Sequence, residues 1–220
     1  MLSSDTLLRA VMVLVPMILS LTVHEFSHAM SARWLGDDTA ERQGRLTLNP
    51  ISHIDPIGTL LLPVILLVSG SGFFFGWAKP VPYDPRRFRR SITMRTGATI
   101  VASAGPASNL VLAVLAMAVL AVAYHAGVAL PEPAHVFVTK MLEINVVLAV
   151  FNMIPVYPLD GQKVLSGFLP AASALRFEQF NARYGSMLLL VVILFAGRIM
   201  SAPIGWVFRG LAAAFGLPTT

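Results

Sequence analysis

Three long apolar stretches, about Leu7 to Ala32, Thr96 to Gly127 and Val136 to Tyr157, constrain this chain more than any other feature. At roughly 1.5 Å per residue, each is long enough as a helix to cross the ~30 Å hydrocarbon core of a bilayer. Lipid offers no partners for backbone amides and carbonyls, so such segments fold as helices. Charge supports the assignment: 12% of residues are charged and the mean hydropathy is +0.73, whereas a soluble domain carries about 25% charged residues. Too little polar surface remains to cover a soluble core. The expected fold is an all-α polytopic membrane bundle of about 4–6 segments, with a re-entrant or hairpin element and short β-like segments. One domain is expected over residues 1–220, with its core at about 7–167 and C-terminal helical segments at 184–217.

The N-terminus, MLSSDTLLRA, lacks a basic leader region, and the apolar run behind it is too long for a signal peptide, so it is read as retained. The net charge of +5 and pI near 10.1 reflect orientation in the membrane rather than nucleic-acid binding, because no basic patch interleaved with aromatics is present. The chain has no cysteine, so any bound metal must use nitrogen and oxygen ligands.

His24, Glu25 and His28 form HEFSH inside the first apolar stretch. On a helix, positions i and i+4 lie about 40° apart around the axis and about 6 Å apart along it, so both imidazoles reach one ion from one face. Glu25, beside His24, is placed to accept a proton from metal-bound water, the general-base arrangement of zinc peptidases. Two histidines and a glutamate in an apolar span are costly unless they bind or react with something. A catalytic zinc has three protein ligands and an open position. The strongest third candidate is Asp160 in NMIPVYPLDG, where Pro155 and Pro158 unwind the preceding helix. Alone, that sequence is also good turn or cap chemistry.

HEFSH in one span and NMIPVYPLDG after a later one resemble the site-2 protease family of intramembrane metalloproteases, and GWAKPVP and AGPASNL resemble segments of its compact bacterial and archaeal members. The likeness covers about residues 20 to 167, without a PDZ-like or CBS-like module. It implies His24, His28 and Asp160 as ligands of one Zn²⁺ and Glu25 as catalytic base, and it sets the family's motif asparagine on Asn152. It also implies regulated intramembrane proteolysis, with membrane-protein or peptide substrates, in a bacterial or archaeal cell membrane.

For one ion to join the two motifs, both spans must end at the same membrane face. The segment Ile57 to Gly76, broken by Pro63, Gly70 and Gly72, must then be re-entrant or a hairpin. The motif side then carries 12 of the 16 basic residues, which orients the site toward the cytoplasm. Asn109 and Asn152, both within apolar helices, either support an oxyanion or substrate backbone or serve as interhelical glue. His53 is read as a turn or surface residue, and His125 and His135 lie toward the far side. Residues 44 to 50 and 73 to 83 are candidates to hold substrate as an added strand. A metal transporter using the same ligands is the rival, but few ionisable residues beyond Lys140 and Glu143 mark a path for one.

Overall fold

The computed structural model describes residues 4–69 and 76–218. Gly70, Gly72 and residues 73–75 of the expected strand-like stretch lie outside them. Helix α1 covers Ser4–Trp34, α2 Thr39–Arg42, α3 Leu62–Val68, α4 Met94–His125, α5 Glu132–Asn152, α6 Asp160–Phe168, α7 Ala171–Leu194 and α8 Ala196–Ala214. The protein is an all-α polytopic membrane protein. The helices α4 and α5, and Val11–Trp34 of α1, are each long and apolar enough to cross a bilayer.

These three helices pack on one another, each against the other two. Small side chains bring α1 and α4 close: Ala29 and Ala32 are fully buried, and Val101 and Ala102 lie almost as deep. Close approach of this kind is how membrane helices gain packing when lipid is as apolar as the interface. Ala113, Ala116 and Met117 of α4 join Leu142 and Val146 of α5 in the core, covered in part by Val207, Phe208 and Leu211 of α8. On the outer face of α4, Val111, Leu115, Val119 and Val122 are exposed, the surface expected of a helix that faces lipid.

The expected hairpin has a direct signature. The Trp77 amide donates to the Gly58 carbonyl at 3.1 Å, and the Thr59 hydroxyl donates to the Trp77 carbonyl at 2.7 Å. The chain that departs at Gly58 therefore returns beside its own starting point, and the apolar helix Pro56–Leu66 is too short to span. Among the described residues there is no strand. Of the two stretches expected to hold a strand, residues 44 to 50 run as turn and bends, and the described part of 73 to 83, from residue 76, runs as irregular backbone.

Two boundaries depart from the sequence expectation. Helix α5 ends at Asn152 rather than near Tyr157, because Pro155 and Pro158 lack amide donors and disfavour helix in the residues before them. At the C-terminal end, α7 begins at Ala171 rather than Tyr184, and the break falls at Phe195, where α7 and α8 bend by 75°. The charged turns at Arg176 to Arg183 hid the first half of α7 from a hydropathy pattern. Within it Asn181, 2% exposed, accepts the Tyr157 amide at 2.9 Å and ties that half to the turn after α5.

Candidate metal centre

Helix α1 carries His24, Glu25 and His28 on its buried side, with exposures of 4%, 8% and 9%. The two rings face α4 where it presents Gly105. A Cβ at that position would collide with His28 Nε2 and stand 2.6 Å from His24 Cε1. AGPASNL thus seats the imidazoles directly against the α4 backbone.

Asp160 arrives from the other end of the chain. After α5 stops, residues 153–159 fold back in tight turns, and Gly161 abuts the carbonyls of Met153 and Ile154 where no side chain fits. Asp160 is then the first residue of α6, where a negative charge also suits the helix dipole. The far end of α6 is tied to α4, since the Arg95 guanidinium donates to the carbonyls of Ser166 and Leu169. Burial pushes the Asp160 carboxyl up, but the neighbouring His28 and His24 rings outweigh it and hold the group below the ordinary carboxylate range.

The three side chains converge. His24 Nε2 and His28 Nε2 are 3.0 Å apart, and Asp160 Oδ2 lies 3.2 Å from the first and 3.3 Å from the second. Atoms bound at about 2.0 Å around one tetrahedral ion would sit about 3.3 Å from each other. The far nitrogens of both rings are engaged: His28 Nδ1 lies 2.7 Å from the Val101 carbonyl and His24 Nδ1 2.6 Å from Asn109 Oδ1. A carbonyl only accepts, so His28 carries a proton on Nδ1, which leaves Nε2 as the nitrogen that can ligate an ion. These three are the group of His, Asp or Glu side chains among the described residues placed to hold a metal ion.

Glu25, the neighbour of His24, accepts the Val81 amide on Oε2 at 2.8 Å. Arg45, 7% exposed, donates to the Lys79 carbonyl at 2.6 Å, and its charge acts on Glu25. Neither Arg45 nor the Val81 amide stood out in the sequence, since a backbone N–H carries no residue signature. Asn109 is fully buried behind His24, while Asn152 donates to the Leu148 carbonyl of its own helix at 3.0 Å. His53 sits in a turn as expected but is 2% exposed rather than at the surface, its Nε2 2.8 Å from the Thr47 carbonyl. His125, on the far side, pairs with the Phe215 carbonyl.

A model of peptidase family M50 matches residues 124–196. "Putative zinc metalloprotease YwhC" of Bacillus subtilis is 38% identical over 182 residues, 81% of this chain and 78% of that protein. "Putative zinc metalloprotease Rip2" of Mycolicibacterium smegmatis is 32% identical over 163 residues, 72% of this chain and 58% of that protein. The protein of the same name in Mycobacterium tuberculosis is 29% identical over the same length. No solved structure matches the chain.

Proposed function

From the chain's membership of peptidase family M50, the site-2 protease family, we propose that it is an intramembrane zinc endopeptidase that cuts peptide bonds in or beside transmembrane segments. The observation that carries this is the meeting of three acceptors, two imidazole nitrogens and a carboxylate oxygen, within 3.0 to 3.3 Å. Two nitrogens and one carboxylate oxygen at these separations form a donor set and geometry that suit zinc. His24, His28 and Asp160 would hold one Zn²⁺, which when bound lowers the pKa of a water toward about 7 and polarises the scissile carbonyl.

Glu25 is the general base. Its Oε2 is held by the Val81 amide, and we assign the other carboxylate oxygen to take the water proton and return it to the leaving amine. The substrate must unwind to expose a peptide bond. Residues 77, 79 and 81 turn their backbone bonds inward, to Gly58, His53 and Glu25. This stretch, held beside Glu25 by those bonds, is the candidate place for an unwound substrate to pair. The basic residues of the motif side support a cytoplasmic site. Substrates would be membrane-spanning regulators or remnants already trimmed by another protease.

Cleavage of a single-span substrate in proteoliposomes tests the proposal. Glu25→Gln should bind zinc as the wild type does and cleave at least about 10²-fold more slowly. Equal cleavage by both proteins would remove Glu25 from the chemistry. Metal movement across the vesicles with no cleavage would favour a transporter.

A further inference from the structure

We infer that Asn109 and Asn145 are positioning residues that fix the ring orientation and tautomer of His24 from outside the metal cluster, through a hydrogen-bond relay across α1, α4 and α5. The inference rests on the metal reading of His24, His28 and Asp160.

Every member of the relay is buried: Ser20, Asn109 and Asn145 are each 0% exposed. Its far end is anchored by groups with no freedom. The Ser20 hydroxyl gives its single hydrogen to the Pro16 carbonyl at 2.7 Å, so its oxygen is left to accept. The Met141 carbonyl can do nothing else. Asn145 Nδ2 meets both, at 2.8 Å and 2.7 Å, which commits its amide hydrogens and turns Oδ1 toward α4. Asn145 Oδ1 then accepts from Asn109 Nδ2 at 2.8 Å, with the Ser20 carbonyl 3.4 Å from the same nitrogen. Asn109 Oδ1 is thereby turned toward His24 Nδ1, 2.6 Å away. An acceptor there requires the proton on Nδ1 and leaves the Nε2 lone pair facing His28 and Asp160.

A flipped Asn109 would offer N–H groups to His24 Nδ1, drive the proton to Nε2 and remove one ligand. Asn145 is what forbids the flip. Interhelical glue would need the same contacts but no particular polarity. Here each amide has one permitted orientation, and the sequence of orientations ends at the metal-facing nitrogen. Outer-shell partners of this kind fix ligand tautomer and are worth about 10–100-fold in metal affinity.

The experiment titrates the metal-free, full-length protein in detergent with Zn²⁺ and Co²⁺ against a chromophoric chelator. Wild type should bind one equivalent and His24→Ala should not; if the two bind alike, the metal reading itself falls. Granted that difference, Asn109→Leu and Asn145→Leu should each bind about 10–100-fold more weakly. Asn109→Asp should bind more tightly than Asn109→Leu, since a protonated carboxyl donates to Asn145 Oδ1 as the amide does and still presents its other oxygen to His24. In the Asn145→Leu protein a carboxylate at 109 presents oxygen whichever way it turns, so Asn109→Asp should restore affinity and the Co²⁺ visible spectrum there, a rescue that a packing role would not produce. Wild-type affinity in Asn145→Leu, or no rescue in the double variant while helical content is kept, would overturn the relay. If Asn145→Leu does not fold, Asn109→Asp against Asn109→Leu decides: equal affinities would refute it.

Discussion

Gly105→Ala adds one methyl group at the point where α4 meets the two imidazoles. The new Cβ would stand 2.6 Å from His24 Cε1, and ordinary contact begins at 3.4 Å, so the ring or the helix must give way by about 0.8 Å. His24 is already held at 2.6 Å by Asn109 on its other nitrogen, and His28 meets the same methyl. Metal–ligand distances tolerate only about ±0.2 Å. A misplacement near 1 Å costs on the order of 10²-fold in rate, which corresponds to about 2.7 kcal/mol at 1.36 kcal/mol per tenfold. The helix itself gains, because alanine is favoured over glycine by about 0.8–1.0 kcal/mol in a helix interior. The expected protein is therefore folded and helical, with weaker zinc retention against a chelator and cleavage reduced about 100-fold. Wild-type zinc affinity and cleavage in Gly105→Ala would refute the proposed seating of the rings.

Asp160→Ala should abolish stoichiometric zinc while leaving α1, α4 and α5 assembled, read as metal content beside circular dichroism; retained zinc would remove Asp160 from the ligand set. Arg95→Met should cost about 1.5–3 kcal/mol, the worth of hydrogen bonds from a charged donor, seen as a lower unfolding midpoint in detergent. It should also weaken zinc binding through Asp160, at the other end of α6, and an unchanged midpoint would mean that the Ser166 and Leu169 carbonyls do not depend on Arg95.

Much of the architecture was legible because lipid leaves few choices. Long apolar runs with no outside hydrogen-bond partners became α1, α4 and α5, and the parity of their ends required the turn-back that the Trp77 and Gly58 backbones now make. The charged half of α7 was not legible, because hydropathy reads solvent preference and Arg176 to Arg183 have little of the lipid kind. His53 sits in a turn as read from the sequence, but its burial was not legible, since a loop histidine is buried or not according to what folds over it, here the chain that returns at Lys79.

The spacing of His24 and His28 determined by itself that two imidazoles share a helix face, since helix geometry is local and repeats every turn. The break at Pro155 and Pro158, likewise local, freed Asp160 from the preceding helix. Only the tertiary structure decided that Asn145, 36 residues from Asn109, governs the orientation of that amide, and that Val81 supplies the donor to Glu25. Those pairings depend on how far each helix is rotated about its own axis and on where a returning loop comes to rest. Packing sets both, and no residue spacing encodes them.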